Sequence, residues 1–128
     1  NTESKKAAIN ETNNFQKILD EYSICVNNDD IECQCKYLID SACIKLRKGG
    51  LGSEAVYAVN SKLIKNLGIV VGTESELDPK IYTRAARFLF IAESGEYQGS
   101  CLGIVFVEEN GKWKAYDVDG PIPSSSCE

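Results

Sequence analysis

Apolar side chains at Phe15, Ile18, Leu19, Tyr22, Cys25 and Val26, with Ala8 upstream, recur every three or four residues and lay one stripe along a helix over 4–27. Asn27-Asn28-Asp29-Asp30 then supplies turn and N-cap chemistry, because short polar side chains accept from the orphan amides of the helix that follows. Ile31, Cys35, Leu38, Ile39, Ala42 and Leu46 keep helical spacing through a second helix, which Lys45, Arg47 and Lys48 close before Gly49-Gly50. The two read as a helical hairpin. Ser53 predicts the cap of a third helix carrying Val56, Val59, Leu63 and Leu67 to a stop at Gly68, followed by a short strand at Ile69-Val70-Val71. A loop over 72–79 ends in Asp78-Pro79.

The second half changes period. "CLGIVFVEE" and "KWKAYDVD" flank Asn110-Gly111, a pair that accepts the positive φ angles of a two-residue type I′ turn, so they form a hairpin. Counting back from that turn pairs Phe106 with Ala115, Ile104 with Asp117 and Leu102 with Asp119, on the sheet face that carries Trp113. Val105 with Tyr116 and Val107 with Lys114 fall on the other face. Residues 80–93 suit a helix or a buried strand; a hairpin alone is marginal in water, so they are assigned as its third strand, with "ESGEYQGS" as the connection. Helices first and an antiparallel meander afterwards make an α+β domain over 1–120, with 121–128 as a C-terminal tail that Cys127 can tie down.

Composition narrows the function. A net charge of −5 gives no basic face for phosphates, so nucleic acid is not an expected partner. No apolar run reaches the roughly 18–20 residues of a membrane span, and no cofactor motif stands out. The absence of methionine makes Asn1 a processed or trimmed end, which leaves room for a removed signal or anchor.

The six cysteines carry the strongest chemical signal. Without any histidine, and with one residue between Cys33 and Cys35 and seven on either side to Cys25 and Cys43, they match neither a common zinc module nor a Cys-x-x-Cys redox pair. Disulfides in a secreted or periplasmic protein are the expected reading, with small buried thiols in a cytosolic domain as the alternative. On a helix Cys33 and Cys35 point roughly 200° apart, so one of them shares the core stripe, and periodicity gives that place to Cys35. Cys25 to Cys35 is therefore the expected staple across the hairpin, with Cys33, Cys43, Cys101 and Cys127 left without assigned partners among about fifteen full connectivities.

The run "YTRAARFLFIAESGEYQGSCLGIVFVEENGKWKAYDVDG", and "ENGKWKAYD" above all, resembles the closing strands of the nuclear transport factor two-like superfamily, the cystatin-like α+β cones. That resemblance implies a curved antiparallel sheet wrapped around N-terminal helices. Its members span isomerases, dehydratases, transport adaptors, secretion-system domains and ligand binders, so it implies a scaffold more than a function.

Three functions fit. The first is a non-catalytic ligand-binding or assembly domain, because strands around Phe88, Phe90, Val105 and Val107 are apolar on both faces and a second copy would cover one of them as a homodimer. The second is a small isomerase or dehydratase, with Asp117 as a carboxylate buried in the cone and Tyr22 donating to a substrate oxygen. Phe106 and Trp113 would line that space, and Arg87 would neutralise Asp117 or read an anionic ligand. An inhibitor or immunity protein is the third, resting on acidity alone. Tyr22, Arg87, Phe106, Trp113 and Asp117 are thus the candidate ligand contacts; no metal site is expected.

Overall fold

The computed structural model describes residues 2–71 and 84–128, with side chains from Thr12 to Gly68 and from Arg84 onward. Ala8, the loop at 72–79 and the start of the strand read at 80–93 therefore lie outside the described side chains or residues. The predicted stripe builds one long helix, α1 (Thr2–Asn27), and buries Phe15, Leu19, Tyr22 and Cys25 along one face. That face lies on a four-stranded antiparallel meander, β1 (Lys62–Val71), β2 (Arg84–Ile91), β3 (Cys101–Glu109) and β4 (Lys112–Ile122), whose spatial order is its chain order. The α+β assignment holds.

Asn110 and Gly111 adopt φ of 55° and 77°, the two left-handed positions of the expected turn. Near it the register is as counted, Glu109 opposite Lys112 and Phe106 opposite Ala115. Beyond it a β-bulge inserts Tyr116, so Asp117 lies opposite Val105 and Val118 opposite Ile104. The register expected for Asp117 and Asp119 is overturned by that one residue, because a slip of one exchanges the two faces of a strand. Val118, not Asp117, takes the buried place.

Two helices expected from periodicity are corrected. The second breaks into α2 (Ile31–Cys35) and α3 (Asp40–Arg47), since Tyr37 accepts from Ala115 N–H at 2.8 Å and Leu38 bridges to Ala115 beside β4. An edge strand with unpaired amides outcompetes the local helix pattern. The third helix is one 3₁₀ turn (Glu54–Ala58) followed by β1, which pairs Leu63 with Phe90 of β2 and leaves Leu67 exposed at an irregularity between Asn66 and Gly68. Ser53 caps as predicted, accepting from Ala55 N–H at 3.1 Å. Gln16 fixes where β1 begins, accepting from Leu63 N–H at 2.6 Å and donating to the Ser61 carbonyl at 3.1 Å.

Every cysteine is paired, Cys25–Cys33, Cys35–Cys43 and Cys101–Cys127. The expected Cys25–Cys35 staple is wrong, and the opposed directions of Cys33 and Cys35 explain the result: each reaches a different neighbour, α1 on one side and α3 on the other. Cys127, in a closing 3₁₀ turn (Ser124–Cys127), ties the tail down and packs with Ile122 over Leu89 and Cys101. Val105 and Val107 are buried within the single chain, at 6% and 0% exposure, so no second copy is required to cover them.

In the loop-entropy account, closing 26 residues stabilises by roughly 3.5 kcal/mol and closing 8 by roughly 2.5 kcal/mol. Replacing Cys101 and Cys127 together by Ala is expected to lower unfolding free energy in urea more than replacing Cys35 and Cys43 together. Equal or reversed losses would show that the tail contributes no more than a local staple.

Candidate functional site

A cleft of about 480 Å³ opens between α3, the loop leading into the first 3₁₀ turn, and the bulge of β4. Local chemistry sets its shape. Ser53 Oγ, besides capping the turn, donates to the Tyr116 carbonyl at 2.7 Å and so fastens the turn to the bulge. Glu54 follows directly, and the bulge presents Asp117 to the same cleft. Gly52 brings the loop against α3 so closely that a Cβ there would sit 2.8 Å from the Ala42 carbonyl oxygen. Tyr57, Tyr116 and Lys45 complete the walls.

Two carboxyls therefore meet in one place. A hydrogen bond with the Asp117 carboxyl holds the Glu54 carboxyl above its ordinary value, helped by desolvation and by the negative charges of Asp117 and Asp119. Asp117 Oδ1 also accepts from Val118 N–H at 2.9 Å. Among the described residues Lys45 forms no ion pair with either acid, so the cleft has an acidic wall and a separate cation. No group of three or more histidine, cysteine or acidic side chains able to hold a metal ion occurs among the described residues.

No protein-family model, no curated protein and no solved structure matches this chain. Chemistry at the cleft must stand on its own geometry.

The five residues picked from sequence do not converge. Asp117 lines the cleft. Phe106 is fully buried in an aromatic cluster with Phe15 and Phe88, centroids 5.0 and 5.8 Å away. Trp113 faces α1, 5.1 Å from Phe15, and carries the Arg84 guanidinium 5.2 Å above its ring. Arg87 pairs with Asp119 at 3.3 Å rather than with Asp117, as the bulge requires. Tyr22 is buried between the helices in a second cavity, and desolvation pushes its hydroxyl up to about 12, so it stays neutral. These packed aromatics fill the interior where the carboxylate of a cone enzyme was expected.

Glu54, Tyr57, Tyr116 and Lys45 were missed. The Ser53 cap was the legible signal, because it places Glu54 in the first turn; the bulge that brings Asp117 to it had none.

The paired acids predict a pH dependence. Between the unfolded and the raised folded value of Glu54 the native state holds a proton that the unfolded chain releases, so stability falls as pH rises through that window. Glu54→Gln keeps a donor toward Asp117 without the charge, and urea midpoints from about pH 4 to about pH 7 are expected to fall less steeply than in the parent. Superimposable profiles would mean that the two carboxyls do not interact.

Proposed function

We propose that this chain is a secreted or periplasmic, non-catalytic binding domain, and that its cleft takes a small ligand bearing an ammonium group between Glu54 and Asp117. The observation that carries the reading is that Glu54 and Asp117 line one open cleft beside two tyrosines, close enough for Asp117 to raise the Glu54 carboxyl above its ordinary value. Carboxyls set against each other are unfavourable for the empty protein, and perturbed acids of this kind concentrate where a protein binds something. An ammonium group entering between them donates to both carboxyl groups and offsets their mutual repulsion. Tyr57 and Tyr116 line the same cleft. Lys45 on the far wall favours a ligand that also carries a carboxylate, as an α-amino acid does.

Openness supports binding over catalysis. Glu54 is exposed and Asp117 only half-buried, so neither occupies the dry environment that makes a carboxylate an effective base. Disulfide pairing of all six cysteines supports an oxidising compartment, and among the described residues no helix is long and apolar enough to cross a membrane. A long helix seated on a curved antiparallel meander also supports placing the chain with the cystatin-like cones; that placement names no ligand.

Norvaline, butylamine and butyrate separate the charges by calorimetry and by carboxyl carbon shifts of Glu54 and Asp117. Norvaline is expected to bind most tightly and butyrate least, with affinity rising from about pH 4 to about pH 7 as Glu54 loses its proton. Asp117→Asn is expected to weaken norvaline at least about tenfold. Butyrate binding as well as norvaline, or carboxyl shifts indifferent to the amines, would overturn the assignment.

A further inference from the structure

Gly49-Gly50-Leu51-Gly52 lies between α3 and the first 3₁₀ turn, and its backbone is held on both sides of Leu51. Before it, Gly49 N–H donates to the Leu46 carbonyl and Gly50 N–H to the Lys45 carbonyl, each at 3.0 Å. After it, Gly52 is pressed against the Ala42 carbonyl, and Ser53 is fastened to Tyr116. The anchored loop leaves Leu51 72% exposed, the most exposed large hydrophobic side chain among the described residues. A solitary exposed leucine needs no explanation by itself. Its place does. Leu51 lines the acidic cleft together with Ile39 and Ala42, so the cleft has an apolar wall besides its acids and Lys45. Ile39 and Ala42 are buried in the core, whereas Leu51 also borders the space between α1, α2 and α3 and leaves it unfilled. Removing the Leu51 side chain from water is thus left to whatever enters the cleft.

We propose, resting on the ammonium site read between Glu54 and Asp117, that Leu51 is the specificity determinant of this cleft and that the ligand is an α-amino acid with an aliphatic side chain. The ammonium group meets the acids and the carboxylate meets Lys45. The side chain then displaces water from Leu51, with each buried methylene worth about fourfold in affinity. Glycine would leave Leu51 in water, and an acidic side chain would bring a further carboxylate to a wall that already holds two. A space of about 480 Å³ is within the range of small-molecule pockets and admits such a ligand. Because the loop is fixed before anything binds, covering Leu51 costs little additional ordering of the chain.

Glycine, alanine and norvaline differ only in the length of the side chain, and each is titrated into the oxidised full chain by calorimetry at neutral pH. Norvaline is expected to bind about tenfold or more tighter than alanine, with a negative heat-capacity change that glycine lacks. Leu51→Ser is expected to cut the norvaline-to-glycine affinity ratio about fivefold or more. The thermal midpoint of the ligand-free variant should match the parent, as suits an exposed side chain. Glycine binding as tightly as norvaline would overturn the role of Leu51 and leave the ammonium site standing. So would an undiminished ratio in Leu51→Ser. No binding of any of the three up to about 10 mM, with butylamine failing as well, would remove the ammonium site and with it any amino-acid ligand.

Discussion

Phe15 is the contact on which the arrangement depends. Its ring sits 4.9 Å from Phe88, 5.0 Å from Phe106 and 5.1 Å from Trp113, side chains supplied by β2, β3 and β4 in turn. Tilted and edge-on contacts of this kind add to the area that the rings bury. Because α1 is rigid, seating Phe15 also fixes what lies further along it: Tyr22 about 10 Å away and Cys25 about 15 Å away at 1.5 Å per residue. The cavity, the first staple and the entry to α2 inherit their positions from one aromatic wedge.

Short helices then need another source of order. α2 has five residues, well under the length at which a helix persists in water without tertiary support. The Arg47–Glu32 pair joins α3 to α2 at 2.7 Å, but both side chains are largely exposed and solvent screens them. The two eight-residue disulfide loops therefore carry that task. Chain between α2 and α3 is freed to leave the helical path at Tyr37 and bridge at Leu38, where it protects the open edge of β4.

What the sequence made legible follows the range of the interactions involved. Asn110-Gly111, the Ser53 cap and the long α1 stripe are decided within a few residues, and each is found where the pattern places it. Leu63 and Leu67 mislead because their four-residue spacing fits a helical stripe, whereas β2, distant in sequence, draws Leu63 into a strand and irregularities between Leu63 and Lys65 and between Asn66 and Gly68 leave Leu67 exposed. Cysteine direction was readable and cysteine partner was not: the opposed vectors of Cys33 and Cys35 are local, whereas the path of α3 that delivers Cys43 depends on the edge of β4. Asp117 was found as a residue of interest and put on the wrong face, since one extra residue at Tyr116 leaves no trace in the alternation of apolar and polar positions.

That same bulge gives the acidic cleft its meaning. A regular β4 would turn Asp117 toward the helical layer, among Phe15, Phe106 and Trp113, where a carboxylate has no partner and burial is costly. The extra residue instead delivers it to the 3₁₀ turn, and Ser53 holds that turn in place through a hydrogen bond to the bulged residue's own carbonyl. Backbone irregularity and side-chain chemistry are thus one device: the residue that interrupts the ladder also anchors the second acid. A neutral residue in place of Glu54 would leave the Ser53 cap intact and remove the repulsion with Asp117. Keeping the two acids together holds the Glu54 carboxyl above its ordinary value, a cost to the fold that the proposed cationic ligand would offset.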